Sequence, residues 1–138
     1  MTSQEFYDKT IVHLVQQGRP AKDYVSPYVS PAPMCYYRRA TTDGTVLKCA
    51  AGIHIPDDLY LPEFEGKGIS RVIARYSSLE LRRFFPNEPL AEALQQLHDS
   101  PPNWDSGGFN ARGFAMAYHV ALRYGLAPMT RERAEASR

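Results

Sequence analysis

The sequence predicts an α+β fold: one β-hairpin packed against an N-terminal helix and three or four C-terminal helices. Three observations carry this. Apolar residues recur at helical spacing in several separate stretches. A single Asp43-Gly44 turn lies between two strand-like runs. The chain has 138 residues, about one domain's worth. Hydrophobic residues make up 43 % and charged residues 22 %, enough apolar side chains for a core and too ordinary a balance for disorder. The expected domain covers residues 1–126, followed by a charged, frayed tail over 127–138.

Residues 2–17 read as an amphipathic helix. Thr2 and Glu5 have the spacing of a capping box, in which each residue satisfies a backbone donor of the other. Tyr7, Ile11, Leu14 and Val15 share one face, and Gly18 followed by Pro20 ends the helix. Residues 19–34 hold four prolines and predict an irregular segment, with Tyr24, Val25, Tyr28 and Val29 fastening it to the core. The hairpin strands are 35–40 and 45–53, and Gly52 marks a bulge or a close approach of another backbone. Residues 56–68 read as a loop with one helical turn at Asp57–Tyr60.

Helical periodicity resumes at Ile69, Val72, Ile73 and Tyr76, with Arg71 and Arg75 on the outer face. Ser77 and Glu80 suggest a second capping box. Asn87 or Glu88, with Pro89 in the first turn, opens a helix whose apolar stripe is Leu90, Leu94 and Leu97. Residues 99–108 read as a loop containing the one tryptophan. The last helix, 109–124, carries Phe109, Phe114, Met116, Tyr118, Val120, Leu122 and Tyr124 in nearly every direction, which predicts burial on all sides. Gly113, Ala117 and Ala121 form a strip that lets another element approach closely.

Lys plus Arg total 16 and Asp plus Glu 15, so the net charge of +1 argues against a protein that coats DNA. The charges are unevenly placed. Residues 51–66 hold Asp57, Asp58, Glu63 and Glu65 and no Lys or Arg, whereas 67–85 hold Lys67, Arg71, Arg75, Arg82 and Arg83 against Glu80. Read simply, these are two solvated segments. No run approaches 18 apolar residues, so no membrane span is expected. The N-terminal residues lack the apolar stretch of a secretory signal, which makes the cytoplasm the expected compartment.

Four constellations could carry chemistry. Cys35, Cys49 and His98, with His54 close by in sequence, offer thiolate and imidazole ligands of the kind zinc takes, although no C-x-x-C pair is present. Either cysteine could instead be a nucleophile, with His98 as base and Asp99 nearby. Tyr36, Tyr37, Arg38 and Arg39, with Arg71 and Arg75, could meet a partner protein or stack and pair with a nucleic-acid strand. Strand alternation puts one Tyr–Arg pair toward the helices, where its arginine needs an acid from among Glu63, Glu65 and Asp99. The carboxylates at 57–65 could hold Mg²⁺, but as loop residues without fixed spacing they read first as solvated charge.

The residues C-Y-Y-R at 35–38, K-C-A-A-G-I-H-I-P-D-D-L-Y at 48–60, E-G at 65–66, L-Q-Q-L-H-D at 94–99 and A-L-R-Y-G-L at 121–126 resemble a group of short bacterial and phage proteins. That group shares the order C-x-Y-R, K-C-A-x-G-x-x-I-P-D-x-x-Y, E-G, L-Q-x-x-H-D. The resemblance implies a phage or mobile-element context and transfers no catalytic residue. The expected function is therefore a non-enzymatic protein-binding module, such as an inhibitor of a host protein or defence system. It needs no cofactor and uses Tyr36, Tyr37, Arg38, Arg39, Arg71 and Arg75. The alternatives are a small Cys/His zinc or thiol-dependent enzyme built on Cys35, Cys49 and His98, and a single-stranded nucleic-acid binder.

Overall fold

A computed structural model describes residues 1–24 and 33–137. Helix α1 spans Ser3–Gln17, and its capping box forms as the T-x-x-E spacing requires: Glu5 N–H donates to Thr2 Oγ1, and Thr2 N–H to Glu5 Oε1. Gly18 closes the helix in the left-handed region at φ 76°. Phe6, Tyr7, Thr10, Ile11 and Leu14 turn inward and begin the core.

Three two-stranded antiparallel ladders follow along the chain. Strand β1 (Lys22–Tyr24) pairs with β2 (Pro33–Cys35), β3 (Arg38–Ala40) with β4 (Val46–Lys48), and β5 (Trp104–Asp105) with β6 (Gly108–Phe109). The β3–β4 pair is the expected hairpin, shorter than predicted. Thr41 and Thr45 close its turn, and Gly44 takes φ 87°. The first ladder corrects the irregular reading of 19–34: Pro33 sits at the strand's first position, where its missing N–H costs no ladder bond. The expected packing of Val25, Tyr28 and Val29 lies outside the described residues, as does that of the Tyr24 side chain. The third ladder lies in what the sequence suggested was a plain loop.

Gly52 is a close approach, as its position suggested. A Cβ there would lie 2.2 Å from the Tyr37 carbonyl oxygen. Helix α2 (Ile69–Arg75) buries Ile69, Val72 and Ile73. Beyond it the Ser77/Glu80 capping box does not form; Glu80 takes a left-handed conformation at φ 54° between two 3₁₀ turns. Helix α3 (Glu88–Asp99) starts at Asn87, whose Oδ1 accepts from Leu90 N–H, and it buries Leu90, Ala91, Leu94, Leu97 and His98. Among the described residues no helix is long and apolar enough to cross a membrane.

Helix α4 (Ala111–Arg123) overturns the expectation of all-round burial. Its buried residues are Gly113, Ala117 and Ala121, the small-residue strip. Tyr7 lies against that strip and donates to the Ala117 carbonyl at 2.9 Å. Met116, Tyr118 and Leu122 are 41 %, 49 % and 55 % exposed. Small residues bring the backbone of α4 close to the core, and the large side chains then project outward, partly exposed among the described residues.

The tail does not fray. Thr130 Oγ1 accepts from Arg133 N–H and opens helix α5 (Arg131–Ala136), which packs on α1 with Ala134 fully buried. Met129 N–H donates to the Tyr7 hydroxyl, and Gln4 exchanges hydrogen bonds with the backbone of Ala127.

Candidate functional site

The sequence points first to the hairpin region, where the fold itself takes up most of the chemistry. One carboxylate organises it. Glu65 accepts from Tyr37 N–H at 2.9 Å, Arg38 N–H at 3.2 Å and the Tyr60 hydroxyl at 2.6 Å, tying the hairpin entrance to the following loop. The Arg38 guanidinium lies 4.7 Å from the Tyr60 ring centre, donates to the Ile55 carbonyl and pairs with Asp57. The acid that Arg38 requires is thus Asp57, not Glu63, Glu65 or Asp99. Arg38 and Lys48 together hold the Asp57 carboxyl below the usual carboxylate range.

Tyr37 is 6 % exposed and donates its hydroxyl to the Lys67 carbonyl, so its ring offers no free face to a nucleobase. Arg39 stands 5.4 Å from the ring centre of Tyr36. Arg71 and Arg75 are exposed on α2, Arg75 beside the Tyr76 ring. Of the six residues expected to meet a partner, Tyr37 and Arg38 therefore serve the fold.

A cavity of about 330 Å³ opens between the hairpin and α3, lined in part by Tyr36, Tyr37, Cys49, Gln95 and Asp99. Cys49 is 1 % exposed, and its sulfur accepts from Gly52 N–H. Burial pushes the thiol up to about 12, so it is protonated at neutral pH and a poor nucleophile. His98 is fully buried, with both ring nitrogens committed. Nε2 accepts from Ala21 N–H at 3.0 Å, which leaves the proton on Nδ1 to be donated to Asp99 Oδ1 at 2.8 Å. Burial lowers its pKa against the opposing effect of Asp99.

His98 therefore has no lone pair to spare for zinc. The Cys35 side chain lies outside the described residues. Among those described, no group of three His, Cys, Asp or Glu side chains is placed to hold a metal ion. His54 is a core residue stacked on Phe6 at 3.7 Å. Because the Thr10 hydroxyl donates to the Phe6 carbonyl, His54 Nε2–H is the donor in the bond to Thr10 Oγ1.

A second exposed surface lies on α4. Arg112, Met116, His119 and Arg123 fall at i, i+4, i+7 and i+11, a single stripe along the exposed side. Tyr118, Leu122 and Ala115 widen it on one flank. On the other flank α4 and α3 enclose a groove of about 280 Å³, room for a large side chain rather than a whole ligand. Ala93, Leu97, Met116 and Val120 give it an apolar floor, and Gln96, Ser100, Arg112, His119 and Arg123 a polar rim.

Asn103 also lines the groove. It is 2 % exposed, its Nδ2 donates to the Leu97 carbonyl, and its buried Oδ1 has no hydrogen-bond partner. Neither Arg112 nor Arg123 meets a carboxylate among the described residues, and α4 contains no Asp or Glu. The N-terminus of α4 is capped by Asn110, whose Oδ1 accepts from Gly113 N–H.

Residue type alone did not single out this face. Its signal in the sequence is the R-x₃-M-x₂-H-x₃-R spacing in a helix without acids, which puts the cations on the same side as the largest exposed apolar residues. No known protein family, no curated protein and no solved structure matches the chain.

Proposed function

We propose that this protein is a non-enzymatic binding module that docks on another protein through the α4 face and the adjoining groove. The observation that carries the reading is the exposure of Met116, Tyr118 and Leu122 on one side of a helix whose other side is firmly packed. Large apolar side chains grouped on a surface and rimmed by polar ones favour protein contact. Arginine, tyrosine and methionine are residue types enriched in such interfaces. The buried thiol and the doubly bonded His98 give no support to a thiol or zinc enzyme. The resemblance in sequence adds the context: a phage or mobile-element protein acting in the cytoplasm on a host protein, for instance as an inhibitor.

The test is affinity capture from a bacterial lysate, comparing the native chain with a Met116→Glu/Leu122→Glu double variant. Both residues are exposed, so the variant keeps its fold, which thermal unfolding verifies. A protein retained by the native chain and lost by the variant supports the reading. Capture that is identical for the two chains refutes it.

A further inference from the structure

We infer that the α3–α4 groove receives an acidic, amphipathic helix of the partner protein, with one apolar side chain seated on its floor. This rests on the docking role proposed above and names the chemistry of the occupant.

Charge decides the class of partner. Arg112 and Arg123 stand three helical turns apart, about 16 Å at 1.5 Å per residue, with His119 between them and no carboxylate lining the groove among the described residues. A second copy of this chain is a poor occupant. Antiparallel contact along the stripe sets Arg112 against Arg123, and parallel contact sets each arginine against itself, so like charges meet in both arrangements. A partner helix with Asp or Glu at each end of a three-turn span pairs both arginines.

Shape decides the form. The floor between the arginines is apolar, from Leu97, Met116 and Val120, and its volume of about 280 Å³ suits one Leu, Met or Phe side chain. A helix laid along α3 and α4 presents such an anchor and the flanking acids from one face.

The experiment is a display selection of random 16-residue peptides against the immobilised full-length chain, followed by titration of synthetic winners by fluorescence anisotropy. The expected winners carry acids about three turns apart around a large apolar residue, and they gain helical circular dichroism on binding. They weaken at least tenfold with Met116→Glu, at least tenfold with the Arg112→Glu/Arg123→Glu double variant, and progressively with added salt. A fluorescent 16-nucleotide RNA is titrated in parallel.

Failure to enrich peptides, enrichment of neutral or basic ones, indifference to the arginine variant, or tighter RNA binding overturns the inference. So does a dimer of the native chain that Met116→Glu dissolves. Peptides of another chemistry that still need Met116 overturn the acidic helix but leave the docking face standing. Unchanged capture by the Met116→Glu/Leu122→Glu chain removes the docking face itself.

Discussion

Replacing Tyr7 by phenylalanine removes a single oxygen from the centre of the molecule and tests how three helices are joined. Tyr7 is fully buried on α1. Its hydroxyl donates to the Ala117 carbonyl of α4 at 2.9 Å and accepts from Met129 N–H, just before α5, at 3.2 Å. Each bond is worth about 0.5–1.5 kcal/mol net, and an unpaired buried N–H costs about 1–3 kcal/mol. The two losses overlap at Met129, which gives about 2–3 kcal/mol for Tyr7→Phe. At about 2.1 cal/mol/K per residue, a chain of 138 residues loses about 7–10 °C of Tm.

Calorimetry measures the total, and amide hydrogen exchange locates it. Residues 129–136 should lose protection before α3 does, because α5 depends on this anchor and α3 does not. Tyr118→Phe, at an exposed hydroxyl on α4, is the control and should leave Tm unchanged. A Tyr7→Phe shift below about 2 °C, or an even loss of protection across all helices, would refute this account of the joint.

Three further outcomes are expected. Gly52→Ala forces a Cβ to 2.2 Å from the Tyr37 carbonyl oxygen, so backbone must move; a cost of about 1–3 kcal/mol should appear in urea unfolding, and an unaltered midpoint would contradict the close approach. Ala117→Leu overpacks the buried strip of α4 beneath Tyr7 and should lower Tm by a comparable amount, whereas an unchanged Tm would place the strip in solvent. Stability should fall as pH drops below about 6.5, the ordinary histidine value. Burial lowers the pKa of His13, His54 and His98, that of His54 to about 3, so the unfolded chain takes up protons more readily than the native chain. For His54 the slope approaches about 1.4 kcal/mol per pH unit, with His13 and His98 acting in the same direction, and a flat urea midpoint between pH 7 and pH 5 would contradict this.

Much of the fold was legible because local chemistry decided it. Thr2 and Glu5 fix the start of α1, Gly18 its end, and Asn87 with Pro89 the start of α3. Asp43-Gly44 makes its turn, and Gly52 lies where no side chain fits. The failures come where tertiary contact decides. The apolar content of α4 suggested burial, but direction around the helix matters more than content: Gly113, Ala117 and Ala121 own the inner side, and their small size pulls the backbone in without covering Met116 or Leu122. The tail looked too charged to order, yet Ala134 and Met129 supply enough apolar surface to dock α5 on α1.

The candidate site divides in the same way. Reactive residue types drew attention to Cys49, His98, Tyr37 and Arg38, and those side chains proved to be bonded within the core and the hairpin. Arg112 and Arg123 drew none, because an arginine on a helix is ordinary until its neighbours leave it without a counter-charge.

Trp104 gives the molecule a built-in optical gauge. It is the one tryptophan of the chain, and its indole N–H donates to the His98 carbonyl while its ring meets those of His98 and Phe109 edge-on at 5.9 and 5.2 Å. The indole adjoins Asn103 in the hairpin that joins α3 to α4. Its emission therefore reports the surroundings of the connection between the two helices, and a spectroscopist can follow the region without attaching a dye.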